Sequence, residues 1–249
     1  MTFAALQPLA DRAALYTALR QDQLAAATEA LGDHRWDADM TAGTITFSAN
    51  DDPSRQLVTH AHLVATIAPG PRSLLWAWAH PHGDRQGVAA PLRAFGEANG
   101  VSELTSGELP FPEGASGDSD WIAAAAHTVG GAAVEITGRS PYYSAPIGGG
   151  TRAVFLLDAP LPSLTVAAAA IVLPRVLSGL ALPDARTSVW DLARLAEWPL
   201  TWTDDAFTGA VVSDSSGSMT FRFDEHARIT GVESTMGAAQ APSGLRPEA

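Results

Sequence analysis

Histidine titrates closest to neutral pH of all side chains, and as a neutral imidazole it binds metal ions. Two pairs of histidines sit two residues apart: His60 and His62 in "QLVTHAHLVATIAP", and His80 and His82 in "RSLLWAWAHPHGDR", where Asp84 follows. If these segments form a hairpin turning about residues 70–71, His60 comes close to position 81 across the ladder. The four imidazoles and Asp84 would then meet at one end of a sheet, a donor set for a zinc-like divalent ion.

Strand parity argues the other way. Directly opposed residues share a face, so a two-residue loop pairs odd positions with even ones. The apolar odd positions Leu57, Ala61, Leu63, Ala65 and Ile67 would then pack with Trp76 and Trp78 as one core. His60 and His62 would lie on the other, polar face, away from His80. The coherent core is the preferred reading. The histidines are then solvated strand residues plus a histidine-bearing loop.

Two further pairs are ligand-binding candidates. Trp76 and Trp78, at i and i+2 of a strand, point the same way and could form an aromatic platform. Leu75, Ala77 and Ala79 make the alternate face small or apolar too, which favours a buried central strand. Asp37 and Asp39 in "WDAD" have the spacing of paired carboxylates that hold a divalent ion for sugar-nucleotide transfer. No basic cradle for a diphosphate lies nearby, so a polar strand start beside a turn is the preferred reading. "IGGGTR" (147–152) leads into a strand and lacks the lysine of a phosphate loop. "DSSGSM" (214–219) reads as a hairpin loop, and no Gly-x-Ser-x-Gly elbow occurs.

Composition narrows the chemistry further. The chain has no cysteine, and all 15 of its basic residues are arginine. Thiolate nucleophiles, disulfides, iron–sulfur clusters, Schiff bases and a phosphate-loop lysine are excluded. The formal net charge of −12 argues against nucleic acid and against an anionic membrane surface. It suits a basic protein partner. No cofactor is expected, a divalent metal at the histidines being the exception.

The elements that must position these residues follow from periodicity. Residues 5–31 read as a helix stopped by Gly32, followed by strand signals around 35–48, 56–69 and 73–80. Pro91 opens a helix that Gly100 stops. Asp118 or Ser119 caps "WIAAAAHTVGG", and a hairpin turns about "IGGG". The apolar stretch 164–182 contains Pro174 and Arg175, too early for a membrane span, and reads as a buried, Pro-kinked helix. Ser188 and Asp191 have capping-box spacing in the helix after it. Four strand signals follow, near 200–204, 208–213, 218–223 and 227–234.

The fold class expected is α+β, with antiparallel β-meanders packed on helices and two related halves. The Gly/Ser/Pro-rich segment 103–120 suggests domains at 1–112 and 113–236, with a disordered tail at 237–249. "RWDADMTAGTITF" and "TWTDDAFTGAVVS", each following an Ala/Leu-rich helix, hint at duplication. The N-terminus lacks a secretory pattern, so a cytoplasmic location is expected.

At "GDHRWDADMTAGTITFS", "LLWAWAHP" and "AFGEANGVSELT" the chain resembles a domain-of-unknown-function family of uncharacterised bacterial proteins. That family's hallmark is a strand reading Trp-Leu-Trp-Ala-Trp-Ala-Asn. The resemblance spans roughly 20–160, with Trp76, Ala77, Trp78 and Ala79 matching the strand. Leu74 replaces its first tryptophan and His80 its asparagine. It implies a fold and no reaction. Two function classes therefore stand: a non-catalytic binding or protein-interaction domain, and a metal-dependent or small-molecule enzyme using His60, His62, His80, His82 and Asp84.

Overall fold

A computed structural model describes residues 2–237, which divide into two units, 2–162 and 163–237. The tail expected at 237–249 lies, Gly237 apart, outside the described residues. The first unit runs α1 (Gln7–Glu29), β1 (His34–Asp39), β2 (Thr44–Ala49), β3 (Gln56–Ala68), β4 (Ser73–Trp76) and α2 (Ala90–Asn99). It continues with β5 (Glu108–Pro110), α3 (Ser119–Thr137), β6 (Tyr142–Pro146) and β7 (Arg152–Asp158). Its seven strands form one antiparallel sheet.

The long strand β3 organises this sheet. One of its edges pairs with β7 from His60 to Ile67. The other edge is shared: β2 covers it up to His60, and β4 takes over from Ala65 to Ala68. The changeover is bracketed by two backbone bonds, Ala61 N to Gly43 O at 2.8 Å and Ala77 N to Val64 O at 2.9 Å.

A β-bulge sits at that changeover, between Leu63 and Ala65. An extra residue reverses which positions point to which face. Leu57, Ala61 and Leu63 pack against the cluster of Ile45, Phe47, Phe155 and Leu157 on one face. Beyond the bulge Thr66 takes that face, opposite Ala153 and Leu75, while Ala65 lies level with Trp76 and Val154 on the other. The odd-to-even pairing expected from the sequence holds, since Ala65 opposes Trp76. The single odd-numbered core face does not, because the bulge splits it.

The sheet is curled toward the first face. Trp36 in β1 and Tyr143 in β6 are separated by four strand spacings, about 19 Å in a flat sheet. Their rings nevertheless meet at 5.9 Å, and Tyr143 also meets Phe47 edge-on at 5.2 Å. Leu24 of α1 and Leu31 beyond it close part of the hollow.

The convex face carries the helices. Asp118 accepts a hydrogen bond from Trp121 N at 2.8 Å and caps α3, as expected, and Gly138 ends it in the left-handed region. Small residues let this helix approach closely. Gly130 faces the Tyr142 ring, where a Cβ would come within 2.6 Å, and Gly131 faces Ala10 of α1. Gly100 terminates α2 with φ of 69°.

The second unit holds α4 (Val166–Ser178), α5 (Ala185–Leu195), β8 (Leu200–Trp202), β9 (Gly209–Asp214), β10 (Gly217–Phe223) and β11 (Ile229–Met236). Its strands form an antiparallel meander in chain order. The expected burial of the apolar stretch 164–182 is corrected. Only Val166, Ala169 and Leu173 of α4 are buried, and Ile171 is 75% exposed. The cap of α5 is Asp184, which accepts from Thr187 N at 3.2 Å. Asp191, read as part of a capping box, is instead fully buried against Arg194 Nε at 2.7 Å.

Segment 103–120 lies inside the first unit, because β7 returns to pair with β3 across it. The two units share a motif, a helix followed by a four-strand antiparallel run. Trp36 and Trp202 each stand in the first strand of that run. Among the described residues no helix is long and apolar enough to cross a membrane.

Candidate functional site

The split of the sheet leaves a cavity of about 540 Å³ on the concave face. β1 and its turn contribute Trp36, Ala38 and Met40; β3 contributes Leu63 and Thr66; β7 contributes Ala153 and Phe155. Ile147 enters from the β6–β7 turn, and His80 and His82 from the loop after β4. Met40 and Ile147 are 54% and 52% exposed. Apolar side chains that stay open to water around a hollow mark a place where something can be covered.

The polar groups at the cavity are few. Thr66 points into it by strand parity. His80 Nδ1 accepts a hydrogen bond from His82 N at 3.1 Å, which leaves the neutral ring's proton on Nε2 as a donor. Burial pushes the His80 pKa below the ordinary histidine range, and the His82 imidazole pushes it further. The two rings lie 5.8 Å apart. Asp37 is also at the cavity, but it alternates with Trp36 and Ala38, so its carboxylate leaves β1 on the opposite side. One of its oxygens takes the adjacent Ala38 N at 3.1 Å.

The structure does not bring the five metal candidates together. His62 Nε2 lies 2.7 Å from Asp158 Oδ2, and Arg139 Nη1 lies 2.7 Å from Asp158 Oδ1. His60 is opposite Asp158 on β7, so these groups share the convex face. His80 and His82 belong to the concave cavity on the far side. Asp84 accepts from Gln86 N at 2.8 Å and shapes its own loop. Among the described residues no group of three His, Asp or Glu side chains could hold a metal ion. Partial burial pushes the Asp158 carboxyl up, but the bonds from His62 and Arg139, with their charges, outweigh it and hold its pKa below the ordinary range.

The two other pairs are placed as follows. β4 ends at Trp76, and the chain turns with Ala79 N and His80 N both bonded to Trp76 O at 3.0 Å. Trp78 therefore stacks on Trp76, with centroids 5.1 Å apart and planes within 9°. Both indoles are buried, and Trp76 Nε1 donates to Glu103 O at 2.8 Å. They face protein, where a platform would face a ligand. Asp39 accepts from Thr41 N and Ala42 N, each at 2.9 Å, and holds the β1–β2 turn.

The sequence reading missed Met40, Leu63, Thr66, Ile147, Ala153 and Phe155. Two carried a signal: Met40 is apolar in a polar turn, and Ile147 directly precedes a glycine turn. The others gather only because β7 inserts beside β3 and the bulge turns Thr66 inward. A larger hollow, about 610 Å³, is lined by Glu29, Asp33, Asn50, Asp51 and Arg55, the polar rim of two turns. In the second unit a groove of about 450 Å³ between α4 and β11 has no ionisable side chain in its lining. The cavity with the imidazoles combines apolar walls with hydrogen-bonding groups.

No curated protein and no solved structure matches the chain. Residues 7–160 match the model of a family of unknown function, DUF6882. The match takes in α1 through β7 and ends beside the boundary at Pro162, so the unit that contains the cavity is the family's domain. The chain belongs to the DUF6882 family of unknown function.

Proposed function

We propose that this protein is a non-catalytic binding module whose ligand enters the cavity at the mouth of the curled sheet. The supporting observation is the cavity itself. Its volume of about 540 Å³ falls within the roughly 300–1,000 Å³ common for small-molecule sites. Its walls are Trp36, Leu63, Phe155 and the exposed Met40 and Ile147. Burying such surface stabilises a complex by about 25 cal/mol per Å².

The neutral fluorophore N-phenyl-1-naphthylamine tests this. It should bind saturably at one site per chain, and Leu63→Trp, which fills the hollow, should abolish that signal. Leu177→Trp, in the α4–β11 groove of the second unit, should leave it intact. Equal loss in both variants, or no saturable binding, would sink the reading. Docking of a basic protein is a second mode, favoured by the net charge of −12. It would show as an association that weakens steeply with salt.

A further inference from the structure

We propose that the cavity selects an apolar molecule ending in a carboxylate, with the tail among Trp36, Leu63 and Phe155 and the head against His80 and His82. This rests on the binding reading above and adds the ligand's chemical class.

Size comes first. At about 30 Å³ per water, a cavity of about 540 Å³ holds the volume of roughly eighteen waters. That admits a ligand of about a dozen non-hydrogen atoms with room to turn. Apart from the Thr66 hydroxyl, the side-chain partners the walls give such a ligand are His80 and His82 of the loop after β4. A wholly apolar guest would bury the faces of those imidazoles without using them, and a ligand with one polar end would use them.

The polarity of the head follows from the proton positions. His80 Nδ1 is committed to His82 N at 3.1 Å, so the ring offers a donor, Nε2–H, and has no acceptor left. Among the described residues neither His80 Nε2 nor the His82 ring nitrogens has a hydrogen-bond partner. Thr66 adds a hydroxyl from the floor. His80 Nε2–H can only donate, and the N–H of the His82 ring and the Thr66 hydroxyl are able to donate beside it; a head set against His80 needs a lone pair, which a carboxylate supplies and an ammonium does not. Asp37, the one carboxylate among the lining residues, would oppose an anion if it faced the cavity. Strand alternation sends it to the opposite side, where it takes Ala38 N.

Three probes with one tail separate the terms: octanoate, 1-octanol and octylamine, each displacing N-phenyl-1-naphthylamine. Octanoate should bind roughly tenfold tighter than 1-octanol, one charge-assisted bond being worth about that factor. Octylamine should bind weakest, although the protein's charge of −12 favours a cation everywhere else. In the His80→Ala/His82→Ala double variant octanoate should fall to the level of 1-octanol, while 1-octanol itself changes less than twofold. Equal affinities for all three probes would overturn the carboxylate assignment and leave the binding module standing. Octylamine binding tightest would overturn it as well. Failure of the fluorophore itself to bind would overturn the underlying reading.

Discussion

Replacing Gly130 with alanine tests how α3 is seated on the convex face of the sheet. A Cβ built there lies 2.6 Å from both Cγ and Cδ2 of Tyr142, whereas carbon atoms rest about 3.5–4.0 Å apart. The ring must retreat by about 1 Å, and it has little freedom to do so. Tyr142 is buried, pairs with Leu156 through its backbone, and holds His127 Nδ1 at 2.5 Å through its hydroxyl. Overpacking of this kind costs about 1–3 kcal/mol. Alanine recovers about 1 kcal/mol of helix propensity over glycine. The net expectation is a loss of up to about 2 kcal/mol, or up to roughly 8 °C in the melting temperature of a unit this size. Calorimetry on the full chain reads it directly. In a Tyr142→Ala background the same substitution has space, and should stabilise by up to about 1 kcal/mol. A Gly130→Ala protein that melts higher than wild type, or shows the same change in both backgrounds, would refute the packing argument.

Three other outcomes follow from named contacts. Trp76→Phe strands the Glu103 carbonyl that the indole satisfies at 2.8 Å, so urea denaturation should show a loss of about 1–3 kcal/mol; no loss would mean water reaches that carbonyl. Asp158 has a folded pKa held below its ordinary value. Its contribution is therefore present above about pH 4, the unfolded value, and is lost as pH falls through the folded one. Asp158→Asn should flatten the acid limb of a melting-temperature profile in that window; an unchanged limb would remove the ion pair from the account. His60→Gln/His62→Gln should leave the metal content of chelator-free protein unchanged by elemental analysis, whereas loss of a stoichiometric ion would restore the metal reading.

Much of the architecture was legible because its signals are local. Gly32, Gly100, Asp118 and the glycine turn at 147–150 act within a few residues of where they stand, and each marks an element boundary in the structure. The meander of the second unit falls close to the expected strand positions for the same reason. The site was less legible. The pairing of β7 with β3 joins residues almost a hundred positions apart, and no spacing rule reaches that far. The bulge at Leu63–Ala65 is one extra residue in a strand whose alternation looks unbroken. It sends Ala65 and Ile67 to one face and Leu63 to the other, which the sequence pattern presents as a single stripe. The histidines were found by residue type, yet the structure divides them between two faces. Trp78 shows the limit of pleat logic: the strand stops at Trp76, so the second indole stacks on the first.

The central claim is that the concave cavity takes up a small apolar ligand, and methionine methyl NMR tests it most directly. The chain has four methionines; Met40 lines the cavity, while Met219 and Met236 belong to the second unit. Titration with octanoate should shift the Met40 methyl resonance saturably and leave Met219, buried in the other unit's core, in place. A silent Met40, or shifts of equal size at Met40 and Met236, would contradict the account.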